Sequence, residues 1–442
     1  MQVSRRTFIG GATALALMRQ SLAAPSAAAN AKIFAPTGGQ AADFLQCRRL
    51  YLDICGRIPT PDEVKSYVSA RDVHKREKLI DQLLDSDDFA DYWSMRYCDV
   101  LRVKSEFPIN LWPNAVYVYH RRIRDHILKD EPWNDFARAL LFARGSNFRV
   151  PEVNFLRATA EKTAKGISEA VSTSFLLEPT DKYERFFSRV AFKSTREWKE
   201  VVVYLKPGPA DATPEAFMAE LEGPLAKKFY ETPVQRVHYW IYGNLAKGGE
   251  LDRWVAAFKS GGWRLKPLLR HVFNHSDYRR GPGKGGFPSR RLDAEVLDDA
   301  ICSLTGAVRD FNSIAPEPYS FLPPARKSIL VEDGSISSSF LLLFGRPARD
   351  SGLLEERNNR ITAKQRLYLY NSSKLWRDLG RMVERKDFAA LSHAEQINDL
   401  YLRFLSRPPV KDELFYFDQK NKINARDVAW HLLNSREFLY RI

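Results

Sequence analysis

The chain has 442 residues, 44% hydrophobic and 28% charged, with 68 Lys+Arg against 54 Asp+Glu and a net charge of +14. This is a globular composition with room for two domains at roughly 150 residues each, and it excludes a disordered chain, a collagen and a polytopic membrane protein. Four cysteines are too few for a disulfide scaffold or a multihaem protein.

Residues 4–9 read Ser-Arg-Arg-Thr-Phe-Ile, followed by an apolar stretch from Phe8 to Met18 and then small residues. That is the layout of a twin-arginine export signal. The apolar stretch is about half the ~20 residues a bilayer span needs. We read residues 1–31 as the signal, with cleavage after Ala24, Ala29 or Ala31, and place the mature chain in the periplasm or at the cell surface. Loss of Arg5, Arg6 and Arg19 lowers the net charge from +14 to +11. An exported basic protein points away from nucleic acid and toward an acidic glycan, an acidic protein or membrane headgroups, the alternative being a plain solvated surface. No later stretch is apolar and long enough for a transmembrane span, so any membrane association is peripheral.

The mature chain reads as mostly α, a multi-helical two-domain protein with little β. We expect an N-terminal helical domain over 40–206, a Pro/Gly/Ala-rich linker over 207–222 and a C-terminal helical domain over 223–442. A helix-turn-helix-helix unit recurs three times. In the first copy a helical run ends at Gly56, a left-handed cap. Thr60-Pro61-Asp62-Glu63 then forms a capping box with Pro at N1. A further helix runs from Arg76 to Leu84 and ends in Asp85-Ser86-Asp87-Asp88-Phe89. In the last copy Tyr401 to Leu414 matches Tyr51 to Val64, and Val428 to Phe438 matches Leu79 to Phe89. The spacing Tyr51–Leu83 is 32 residues and Tyr401–Leu432 is 31. A looser middle copy runs from Trp240-Ile241-Tyr242-Gly243 through Gly249-Glu250-Leu251 to Leu268–Tyr278. Self-similarity of this kind marks units that bury their apolar faces against neighbours. Ser86, Ser276 and Ser435 are read as helix-capping or turn residues before an aromatic anchor rather than as nucleophiles, because they occupy a recurring slot.

Between the copies, Trp112–Leu128, Asp135–Arg144 and Ala158–Ser174 read as helices. Lys199–Leu205 is the best strand candidate, β-branched and ended by Pro207-Gly208-Pro209. Gly281–Pro288 is a glycine-rich loop without the spacing or preceding strand of a phosphate-binding loop. Arg290–Thr305 reads as a long amphipathic helix.

Several strings resemble the secreted planctomycete cytochrome-associated proteins, a family of paired domains of unknown function. They are Arg48-Arg49-Leu50-Tyr51-Leu52-Asp53 with Gly56–Pro61, Arg76–Asp81, Arg290–Leu297 with Asp299-Ala300-Ile301, Phe344-Gly345-Arg346-Pro347, Arg349-Asp350-Ser351 and Leu432–Phe438. The resemblance runs from Phe44 to Ile442. It implies an exported, mostly helical protein and a secreted cytochrome-like or sulfatase-like partner, and it carries over no catalytic residues. The chain departs from the family where most members have Cys-x-x-Cys-His. Here Leu177–Tyr183 contains neither Cys nor His. We therefore expect no haem and no other cofactor.

The chemistry candidates are few. Cys55–Cys98 is the conceivable disulfide, but buried free thiols are the preferred reading. His271 and His275 lie four apart and lack a third ligand, so we expect cap or surface histidines and no metal. Trp112, Trp133, Trp198 and Trp263 flank loops and suit stacking on a sugar or a partner. Arg290, Arg291, Arg346, Arg349 and Arg357, with Asp293, Glu295, Asp350 and Glu356, form a dense Arg/carboxylate set. They suit anion or partner binding, or an interdomain ion-pair network, which is preferred. Catalytic residues are otherwise unknown; a carboxylate pair in this set, such as Asp350 with Glu356, would suit acid/base hydrolysis. Two functions follow: a non-catalytic interaction or assembly protein, which we favour, and a secreted hydrolase of anionic polysaccharide.

Overall fold

The computed structural model describes residues 39–281, 287–313, 322–323, 326–417 and 423–442. Segment 1–31, read above as an export signal, and residues 282–286 of the glycine-rich loop lie outside the described residues. Among the described residues helix takes 60% and strand 5%, a mostly-α fold. No described helix is long and apolar enough to cross a membrane.

Local chemistry explains the repeat. The helix Gly39–Leu50 runs on into a π-helical turn, Tyr51–Cys55, and Gly56 ends it at φ +62°. A side chain at Gly56 would place its Cβ 2.3 Å from the Tyr92 ring, so only glycine fits. Thr60 Oγ1 accepts from the Glu63 N–H at 3.3 Å, and Glu63 accepts the Thr60 N–H at 2.7 Å. This box starts the helix Pro61–Ser69, and Lys75–Leu84 and Asp87–Val100 follow. The last copy repeats the plan with His393–Leu405, Lys411–Tyr416, Ala425–Leu433 and Arg436–Leu439. The middle copy uses Ala226–Tyr242, Gly249–Ser260, Leu265–Asn274 and Ser276–Arg279. The left-handed residue is Gly56, Gly243 and Ser406 in turn, at φ +62°, +82° and +58°.

Each unit buries its apolar stripe, and one hydrophobic core runs through residues of both halves. Arginines stitch the copies together. Arg48 donates to the Phe404 carbonyl (2.8 Å) and Ser406 Oγ (3.1 Å) of the last copy. Its neighbour Arg49 donates to the Tyr278 carbonyl (2.6 Å) of the middle copy and to the Ile442 carbonyl (2.9 Å). Arg76 reaches the Phe273 carbonyl at 2.6 Å.

Several boundaries differ from expectation. Ser86 and Ser435 do cap, accepting the Phe89 and Phe438 N–H groups at 3.2 Å. Ser276 does not, because the slot three residues before the anchor Tyr278 is His275. Its Nδ1 accepts the Asp277 N–H at 3.3 Å. The expected linker 207–222 carries a helix, Pro214–Glu222, capped by Thr213 and burying Phe217, Met218 and Leu221. The Pro/Gly composition ends at a good N-cap with Pro at N1, which is a helix start. Ala164, not Ala158, begins the next helix, because Thr163 is its cap. Val201–Leu205 is β3, the centre of an antiparallel sheet in the order β1-β3-β2, with β1 Gly145–Ser146 and β2 Val190–Ser194. Arg290–Arg291 is not helical: it is strand β4, paired with β5 Tyr440–Arg441, and the helix starts at Ala294.

Candidate functional site

The Arg/carboxylate set divides when the chain folds. Asp293 is extended and precedes the helix Ala294–Thr305, whose first turn carries Glu295 inward to complete burial. After the helix Ser339–Leu343, Gly345 turns the chain at φ +82°. A Cβ there would lie 2.1 Å from the Asn358 carbonyl oxygen. That close approach places Arg346, Arg349 and Arg357 around Glu295.

Arg357 is the hub. It grips Glu295 through both terminal nitrogens (2.6 and 3.1 Å) and Asp99 through Nε and Nη2 (3.1 and 2.7 Å). Arg349 Nε donates to the other Asp99 oxygen at 2.9 Å. Arg346 Nε stands 3.4 Å from Glu295, and its terminal nitrogens donate to the carbonyls of Ile336, Val331 and Asp333. Asp293 is held by Arg96 at 2.7 Å and by the Asn359 amide at 2.7 Å. Burial raises the Asp293 carboxyl, but Arg96 and Arg357 overcome it and hold the group well below its ordinary value. Glu295 is lowered against the same burial by Arg357 and Arg346. Asp99, on the helix Asp87–Val100, links this cluster to the N-terminal half. Nothing in its sequence surroundings singled it out, because its partners lie about 250 residues away.

The remaining predicted site residues do not join this cluster. Arg290 and Arg291 bond to carbonyls only: Arg290 to Tyr239 and Trp240, Arg291 to Leu292, Phe344 and Asn358. Asp350 and Glu356 are each engaged by other groups. Glu356 accepts the N–H groups of Asp350 (2.8 Å), Ser351 (3.2 Å) and Gly352 (3.2 Å) and the Ser351 hydroxyl (2.7 Å). It is the staple of a tight loop. The Asp350 carboxylate pairs with Lys104 Nζ at 2.6 Å.

The other candidates are also placed. All four cysteines are free thiols; Cys47, Cys55 and Cys98 are buried and Cys302 is partly buried. Burial pushes the Cys302 thiol up to about 12. His271 lies on the helix Leu265–Asn274 and His275 just beyond it, engaged as a cap. Among the described residues no group of three His, Cys, Asp or Glu side chains could hold a metal. Trp133 is core and Trp263 stacks on Tyr230 at 3.9 Å. Trp112 and Trp198 meet edge-to-face at 5.0 Å, with Lys199 Nζ 4.2 Å from the Trp112 ring centre. Trp112 and Lys199 both hold left-handed backbone, φ +72° and +59°. The adjoining loop is fixed from three sides. Ser105 N–H donates to Asp333 (2.9 Å), Glu106 N–H to Ser335 Oγ (3.0 Å), and Lys162 Nζ to the Ile109 carbonyl (2.7 Å). Phe107, at its tip, is 80% exposed and Trp198 51%.

A groove of about 610 Å³ lies between the Arg57–Pro61 turn, the end of the helix Ala294–Thr305 and residues 326–330. It falls in the ordinary size range of ligand sites, ~300–1,000 Å³. Asp299 on its wall accepts the Ser328 and Ile329 N–H groups at 2.6 and 3.0 Å. Burial pushes its carboxyl up to about 7 against those two bonds. The sequence offered Asp299 only as part of a family-like string.

Two family models match the chain. PSCyt2, protein of unknown function (DUF1549), matches residues 29–193, and PSD1, protein of unknown function (DUF1553), matches residues 243–419. Neither a curated protein nor a solved structure matches it.

Proposed function

The chain belongs to the paired PSCyt2 and PSD1 family of proteins of unknown function, and from that premise we propose that it is an exported, non-catalytic interaction or assembly protein. The observation that carries this reading is the fate of the Arg/carboxylate set. Its members are engaged by one another, by backbone, or by Asp99, Arg96, Asn359 and Lys104, and Glu356 is consumed by a loop. What the surface offers instead is aromatic: Phe107, Trp112 and Trp198 on a loop and strand end held rigid from beneath. Rigid aromatics present contact area at low entropic cost, which is how binding hot spots are built. The partner is a secreted protein, cytochrome-like or sulfatase-like by the family resemblance. Native pull-down of the mature chain from the exported fraction, with mass spectrometry, tests this. A stoichiometric partner, lost on Phe107→Ser with Trp198→Ala while the thermal midpoint is kept, supports the reading. A chain that captures nothing, or that captures equally with both substitutions, overturns it. Export itself is tested by Arg5→Lys with Arg6→Lys, which should leave the precursor in the cytoplasm.

The groove favours a second reading, hydrolysis of an anionic polysaccharide. A carboxyl group near pH 7 in a cleft is suited to proton donation. Screening sulfated and uronic-acid glycans, with Asp299→Asn as control, decides it. Activity that survives Asp350→Ala with Glu356→Ala would remove those two residues from any catalytic role.

A further inference from the structure

A second, much smaller cavity lies where the N-terminal half meets the β4–β5 pair. Its volume is about 20 Å³. That is room for a water-sized particle. Its walls include four guanidinium groups, Arg96, Arg290, Arg291 and Arg441, and two carboxylates, Asp53 and Asp293. Both carboxylates are already taken. Asp53 pairs with Arg441 and accepts the Tyr278 hydroxyl at 2.7 Å, and Asp293 pairs with Arg96 at 2.7 Å.

Among the described residues Arg290 and Arg291 make no ion pair: Asp293 acts on both and Glu295 on Arg291, but these carboxylates are already held by Arg96 and Arg357, so the cavity keeps an excess of positive charge. Both arginines donate to carbonyls only. Arg96, Arg291 and Arg441 are each more than nine-tenths buried. The Nε–H groups of Arg291 and Arg441 are buried without a hydrogen-bond partner. Burial, with Arg441 beside it, lowers Arg290 to about 10, and burial lowers Arg291 to about 10. Excess buried charge and orphaned N–H groups are both strongly unfavourable. A water molecule would satisfy the hydrogen bonds but leave the charge. A monatomic anion does both.

We propose that this cavity binds one halide-sized anion, chloride in ordinary media, which neutralises Arg290 and Arg291 and fastens β4 and β5 to the helix Asp87–Val100. The site is independent of the partner reading above. Two measurements on the whole mature chain test it. Crystals grown in sodium bromide should show an anomalous peak in the cavity, within about 3.5 Å of guanidinium nitrogens, the reach of a charge-assisted bond to a large anion. The thermal midpoint in 0.2 M chloride should exceed that in gluconate, at equal pH and ionic strength, by about 2–4 °C. Arg290→Met should abolish that difference. A map with water alone in the cavity, or equal midpoints in the two salts, overturns the proposal. If Arg290→Met does not fold, the wild-type bromide map decides alone.

Discussion

Two kinds of arginine cluster hold this molecule together, and they differ in how far apart in sequence their members lie. The repeat copies carry a local staple. Arg57 forks onto Glu63 (2.7 and 2.8 Å) and reaches Asp88 at 2.6 Å. In the last copy Arg407 forks onto Glu413 (2.8 and 2.9 Å) and reaches Glu437 at 2.7 Å. Each arginine also stacks near a tyrosine ring, Tyr51 or Tyr401. The middle copy has Asn244 and His238 in the arginine and tyrosine slots, and His238 lies 3.3 Å from Glu250. The central cluster of Asp99, Asp293, Glu295, Arg349 and Arg357 uses the same ion-pair chemistry in nearly complete burial, across the two halves. The staples close turns that the local chain already favours. The central cluster has no local support, so its energy depends on every member being present. Loss of one member of a buried network strands its partners' charges, whereas a partly exposed staple falls back on water.

The largest effect should follow Glu295→Ala, which leaves Arg357 and Arg346 facing an empty site. We expect a loss of about 3–5 kcal/mol in urea unfolding. The sign of the pH dependence sharpens the contrast. Asp293 and Glu295 ionise more readily folded than unfolded. Their stabilisation is therefore present above about pH 4 and lost as pH falls through the lowered values. Melts from pH 5 to 3 should fall more steeply for the wild type than for Glu295→Gln.

Next comes an exchange between copies. Gly56→Ser copies the residue at 406 into the first unit, where its Cβ would strike the Tyr92 ring. The expected cost is about 2–4 kcal/mol from left-handed strain and overpacking. The reverse change, Ser406→Gly, relieves strain but loses the bond from Arg48, and should stay within about 1 kcal/mol. Equal effects in the two copies would show that the units are interchangeable and break the comparison.

Within the staples, Arg407→Met should cost about 1–3 kcal/mol and Arg57→Met about 1 kcal/mol, because Arg407 is the more buried of the two, 15% against 29% exposed. Smallest are the caps. Ser86→Ala and Ser435→Ala should each cost about 1 kcal/mol, while Ser276→Ala should be near neutral because His275 fills the slot. A large loss at Ser276, in stability or in partner capture, would revive it as a functional residue.

Features written in short range were legible. The Gly56 stop, the Thr60-Pro61-Glu63 start, the Ser86 and Ser435 caps and the β3 strand depend on neighbours within about seven residues, where propensity and capping act. The cap reading of Ser276 failed by one position because serine in a turn resembles a cap until the helix end is located. Arg290-Arg291 read as helix because the amphipathic period of the following segment extends back through them. Their pairing with Tyr440-Arg441 lies about 150 residues away and leaves no local trace.

By itself the sequence determined the family, the mostly helical class, the triplicated unit and the residue types in the Arg/carboxylate set. Only the tertiary structure decided which arginine meets which carboxylate. It joined Asp99 to the set, turned Glu356 into a loop staple and left Arg290 and Arg291 without an ion pair of their own. The physical reason is range. Helix caps and left-handed stops act over one turn of chain, whereas the partner of a buried charge is set by how the packed core closes around it.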